Sequence, residues 1–83
     1  MTKVIFRKFK DGEIIALFPE EVNGFYISCY MHIGQHSVAD YNYVVRETKL
    51  ATESEYQDLK RELENIGYNL KAYKKVRVQY KFS

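Results

Sequence analysis

Eighty-three residues make a single domain, 1–83, with a thin core, because a chain this short buries only about 60–65% of the surface it exposes when unfolded. Eight Tyr and five Phe supply much of the apolar area and argue against a disordered chain, while the lone cysteine, Cys29, excludes an intramolecular disulfide framework. The net charge of +2 hides a partition: residues 1–10 and 65–83 hold nine of the thirteen Lys and Arg and no carboxylate, whereas 11–64 hold all eleven Asp and Glu.

The first residues lack the long apolar run of a secretory leader, and no stretch approaches the ~18–20 apolar residues of a membrane span. Together with the single cysteine this gives a cytoplasmic expectation, with no membrane association.

Residues 3–10 and 13–18 are β-branched and aromatic runs joined by Asp11-Gly12, the signal for a two-residue hairpin turn. Such a loop pairs Phe9 with Ile14, Arg7 with Ala16 and Ile5 with Phe18. It places Ile5, Phe9, Ile14 and Phe18 on one face and Val4, Phe6, Ile15 and Leu17 on the other, so that both faces are largely apolar. Pro19 cannot donate to a ladder and marks the expected end of the second strand.

Residues 25–33 read as a third strand, with Phe25, Ile27, Cys29, Met31 and Ile33 towards the core and Tyr26, Ser28, Tyr30 and His32 away from it. Residues 34–40 read as a loop. Residues 41–48 suit either a fourth strand or a helical turn running into an extended segment, and their composition favours the strand.

Thr52-Glu53-Ser54-Glu55 is a capping box that opens an amphipathic helix with Tyr56, Leu59, Leu63 and Ile66 in one stripe and Gly67 as its stop. Residues 68–82 alternate: Tyr68, Leu70, Ala72, Val76, Val78, Tyr80 and Phe82 on one side, Lys71, Tyr73, Lys75, Arg77, Gln79 and Lys81 on the other. Strands rarely exceed ten residues, so a bend is expected near Lys74-Lys75. The fold class is therefore α+β: an antiparallel sheet of four or five strands with one helix on one face, in the order β-β-β-(β)-α-β.

Phe6-Arg7-Lys8-Phe9, Asp11-Gly12-Glu13, Ile15-Ala16-Leu17-Phe18-Pro19-Glu20, Tyr30-Met31-His32-Ile33-Gly34-Gln35-His36 and Ala51-Thr52 before Glu55-Tyr56 together resemble a family of short uncharacterised proteins common in Bacteroidetes genomes and their phages and mobile elements. The resemblance spans most of the chain and implies a bacterial or viral origin, but brings no activity, cofactor or site. Leu50 departs from it, standing where proline would be expected before Ala-Thr.

Three groups of residues invite a chemical reading. Cys29, His32, His36 and Asp40 carry zinc-ligand chemistry, but Cys29 and His32 lie an odd number of positions apart on a strand and point to opposite faces, so no metal is expected. Tyr30, His32, Gln35 and His36 form a candidate polar site, since two imidazoles near neutrality can share proton transfer in phosphodiester cleavage. No nucleophile elbow, phosphate loop or carboxylate pair accompanies them, which favours a structural role. Finally, Lys71, Tyr73, Lys75, Arg77 and Lys81 are cations interleaved with an aromatic, the pattern that follows a phosphate backbone; the plainer reading is an edge strand guarded by lysine.

The sequence thus predicts a non-catalytic module, without cofactor, that engages a protein or nucleic-acid partner through a basic sheet face. The alternatives are a metal-independent His/Tyr hydrolase or nuclease and a purely structural homo-oligomer. Self-association is expected on a separate ground: one narrow helix stripe covers only one face of a hairpin that is apolar on both, unless residues 34–50 cover the second.

Overall fold

In the computed structural model, which describes residues 1–79, four strands run as an antiparallel meander: β1 (Thr2–Phe9), β2 (Ile14–Asn23), β3 (Tyr26–Met31) and β4 (Gln35–Ala39). A short helix, α1 (Tyr41–Glu47), follows, then β5 (Thr48–Leu50), the long helix α2 (Glu53–Ile66) and β6 (Leu70–Ala72). The sheet order is β4-β3-β2-β1-β5, with β6 also on β1. The outer edge of β1 is thus shared: β6 lies parallel along Thr2 to Val4, and β5 antiparallel along Arg7 to Phe9. The class is α+β as expected, with six strands among the described residues rather than four or five, and two helices rather than one.

The hairpin turn is where Asp11-Gly12 predicts it, but the loop has three residues rather than two. Phe9 faces Glu13, with the Phe9 N–H donating to the Glu13 carbonyl at 2.8 Å, and Gly12 takes a positive φ of 94°. This is the hairpin loop whose last position needs a left-handed residue. The extra residue shifts the register by one, to Ile5 opposite Leu17 and Phe6 opposite Ala16. A one-residue slip turns every side chain of a strand over, and the observed faces follow. Val4, Phe6, Ala16 and Phe18 pack on one side, Ile5, Ile15 and Leu17 on the other. Both faces are apolar, as the sequence requires.

Pro19 does not end β2. It is buried, and the ladder to β3 changes register between Phe18 and Val22 before pairing resumes to Asn23. A residue without an N–H is accommodated by interrupting the ladder rather than by terminating the strand. In β3, Ile27 and Cys29 are buried and Met31 packs beside them as predicted, but Phe25 and Ile33 lie in turns, 67% and 73% exposed. Tyr30, assigned to the polar face, is buried at 1% exposure because α2 covers that face.

Residues 35–39 form an edge strand, not a loop; four of the five are exposed, so they carry no apolar alternation to betray them. Residues 41–47 take the helical alternative, running into the extended β5, rather than the favoured strand. The Asp40 side chain caps the first turn by accepting the Tyr43 N–H at 3.3 Å. At the other end the Arg7 guanidinium donates to the carbonyls of Val45 and Thr48, at 3.2 and 2.7 Å, where a helix C-terminus favours a cation. These contacts override the strand propensity of Tyr, Val and Thr.

Helix α2 begins as the capping box predicts: Thr52 accepts the Glu55 N–H, and Glu55 Oε1 accepts the Thr52 N–H at 2.9 Å. Leu59 and Leu63 are buried and Tyr56 stacks on Phe6 with centroids 4.3 Å apart, whereas Ile66 is 53% exposed. Gly67 closes the helix at a positive φ of 124°.

The second face of the sheet, which the sequence leaves open for a partner, is covered from within. Val44 of α1 is buried there, and Tyr73, Val76 and Val78 pack on the same cluster. After β6, whose Leu70 belongs with α2, the chain bends at Lys74 as expected and crosses to the α1 side. The premise for self-association through an open apolar face is therefore removed.

Candidate functional site

The charge partition becomes a surface only if the first and last strands are neighbours, and they are. In the parallel β1–β6 ladder Lys3 stands opposite Lys71, on the face away from Val4 and Ala72. Both ammonium groups approach the ring of Tyr73, at 5.4 and 5.6 Å from its centroid, and the Tyr73 N–H anchors the turn by donating to the Val4 carbonyl at 2.8 Å. A ring face partly offsets the repulsion between two cations held side by side. Glu20 lies 3.5 Å from Lys3, but both side chains are well exposed, so the pair is weak.

Tyr73 corrects one expectation. The bend at Lys74 breaks the two-residue alternation, so its half-buried ring packs with Val76 and Val78 rather than projecting with Lys75 and Arg77. With lysines over the ring and the core beneath, it is no platform for a base. Lys75 and Arg77 are exposed beyond the bend, beside a groove they share with Tyr41 and Asn42, whose neighbour Val76 accepts the Tyr41 hydroxyl at 3.3 Å. Lys81 lies outside the described residues. Of the other cations near the N-terminus, Arg7 is bound to α1, and Lys8 points to the opposite face, 2.5 Å from Glu55.

The histidine group has a different character. The Tyr30 hydroxyl donates to Glu62 Oε2 and accepts the Gly34 N–H at 2.9 Å, while His32 Nδ1 shares a hydrogen bond with Glu62 Oε1. His36 lies opposite Tyr30 on β4, its ring edge-on to Tyr30 at 4.6 Å, with Nε2 3.3 Å from the Tyr68 hydroxyl. The hydrogen bonds from Tyr30 and His32 hold the Glu62 carboxyl below the usual range, and the same bond to Glu62, with burial, pushes the Tyr30 phenol up. Gln35 is exposed at the start of β4. The two histidines flank Tyr30, His32 bonded to Glu62 and His36 to Tyr68.

Glu62 and Tyr68 were not among the candidates. Glu62 had a sequence signal: at three residues after Leu59 and four before Ile66 it lies within the helix's apolar stripe, where a carboxylate needs a partner. Cys29 is buried on the α1 side, its thiol pushed up by desolvation, whereas His32, in the turn after β3, bonds Glu62 of α2, so the two point apart. Among the described residues no three His, Cys, Asp or Glu side chains converge on a metal position, and no helix is long and apolar enough to cross a membrane.

The chain matches no family model, no curated protein and no solved structure.

Proposed function

We propose that this domain is a non-catalytic binding module for an acidic partner, engaged through the Lys3–Lys71 pair and the Lys75–Arg77 segment beyond it. The observation that carries the reading is the alignment of Lys3 with Lys71 on parallel strands. It joins cations from the two ends of the chain into one surface, at an energetic cost that an anionic partner would relieve. Because Tyr73 is covered by its own lysines, contact is through charge and not through base stacking. A nucleic acid would be held by its phosphates, without sequence preference and with steep loss of affinity in salt.

Catalysis has less support. Both oxygens of Glu62, both roles of the Tyr30 hydroxyl and one nitrogen of His36 are already taken by internal bonds that tie β3, β4 and α2 together. A structural homo-oligomer keeps one observation in its favour, the outer edge of β4, which carries no Lys, Arg or Pro to discourage a further strand.

The test is the paired change Lys75→Glu and Arg77→Glu, both exposed and outside the regular strands. Titration with single- and double-stranded DNA and RNA and capture of cellular partners should be weakened by the reversal, while the circular dichroism spectrum is unchanged. If no nucleic acid binds in low salt and every captured partner persists, the basic surface is only a solvated edge. Sedimentation as a dimer that Val38→Lys dissolves would favour the oligomer.

A further inference from the structure

We infer that the corner formed by the end of β1, β5 and α1 is a second anion site, built for a small phosphate-bearing molecule. It lies on the other end of β1 from the Lys3–Lys71 pair. Lys8 of β1 and Lys49 of β5 stand directly opposite each other in the antiparallel ladder, so their side chains leave the same face, towards α2. Like charges in that relation destabilise the pairing. Both oxygens of the nearest carboxylate, Glu55, are engaged, Oε1 by the Thr52 N–H and Oε2 by Lys8. Among the described residues no carboxylate lies within 4.0 Å of Lys49, Lys10 or Arg46.

These four cations line one groove of about 470 Å³, with Glu47 and Glu55 as its carboxylates. The excess is two positive charges, which matches the charge of a phosphate monoester near neutral pH. Lysine is an effective phosphate ligand as a point charge, and charge-assisted hydrogen bonds are the strong kind. Phe9 and Leu50 supply apolar wall for whatever the phosphate is attached to, and the volume is that of a small-molecule site. Arg46, placed 5.8 Å from the Tyr43 ring centroid, is already steered by its own helix. The corner is therefore a set of cations, two of them held abreast by backbone register, and short of anions.

The test uses the full chain with inorganic pyrophosphate and a nucleoside monophosphate as probes, read by calorimetry and by thermal unfolding. Wild type should bind both and melt at a higher temperature in their presence. Lys49→Ala should weaken binding at least tenfold and abolish the thermal shift. Without ligand it should melt no lower than wild type, since it removes a like charge facing Lys8. Lys71→Ala, on the other surface, should leave probe binding unchanged. A short single-stranded oligonucleotide should not displace pyrophosphate, which separates a small-molecule site from a backbone contact. Absence of probe binding, binding indifferent to Lys49→Ala, loss with Lys71→Ala, or displacement by the oligonucleotide would each overturn the assignment.

Discussion

Lys3 and Lys71 are held abreast by backbone pairing, and both ammonium groups approach the ring of Tyr73. On the proposed reading, stability and partner binding therefore pull in opposite directions at this place. Lys71→Glu replaces a like pair with an opposite one, so urea unfolding should report a gain of about 0.2–1 kcal/mol. Partner affinity should fall in the same variant. A loss of stability on reversal would mean that the two lysines do not repel in the folded state.

Acid should act through Glu55 before it acts on the core. The Lys8 ammonium, with the Thr52 backbone and hydroxyl, pulls this carboxyl down to about 2, against about 4.3 in an unfolded chain. A depressed value means the stabilisation is fully present above the unfolded value and is lost as pH falls from about 4.5 towards 2. Thermal midpoints across that window should drop for wild type. They should drop less for Glu55→Gln, which starts from a lower plateau.

The Tyr30–Glu62 bond should be visible in an alkaline spectrophotometric titration. Tyr30 is shifted upward first by its bond to Glu62, and Tyr68 by burial, so these two phenols should ionise above the ordinary tyrosine range. Glu62→Gln should bring one of them back towards 10. The sign for a raised phenol is that its stabilisation holds below about 10 and is lost as pH rises through the folded value.

Gly12 should tolerate no side chain despite its open surroundings. A Cβ there meets nothing within 4 Å, so any loss on Gly12→Ala comes from the positive φ alone, about 1–2 kcal/mol. Replacement by Asn, which enters that region more readily, should recover part of the loss in the same denaturation assay.

Where a local device sets the structure, the sequence is readable to the residue. Thr52 and Glu55 start α2, Gly67 stops it, and Asp11-Gly12 turns the hairpin. Where two devices differ by one residue, it is not. Two- and three-residue loops both accept Gly12, and the choice between them reverses which side chains of β2 lie under α2. The strand β4 and the helix α1 escape for opposite reasons. One is an exposed edge without apolar rhythm, and the other is held as helix by Asp40 and by Arg7, a residue far away in the chain. For the candidate surface, Lys71, Lys75 and Arg77 stand out in the sequence, but the adjacency of Lys3 is a property of topology, and Val76 and Val78 come to the Tyr73 side because the chain bends at Lys74.

The shared edge of β1 also joins distant parts of the chain. The meander from Thr2 to Ala39 closes through neighbouring strands, whereas the β1–β6 ladder must bring Thr2 to Leu70 across nearly the whole described chain, the kind of non-local pairing that carries the larger loop-closure cost. Until it does, the Val4 carbonyl lacks the N–H of Tyr73, and Lys3 has neither Lys71 nor the aromatic ring beside it. The paired lysines exist only where that ladder has formed, so on the proposed reading an acidic partner would meet them in the folded domain and not in an unfolded chain.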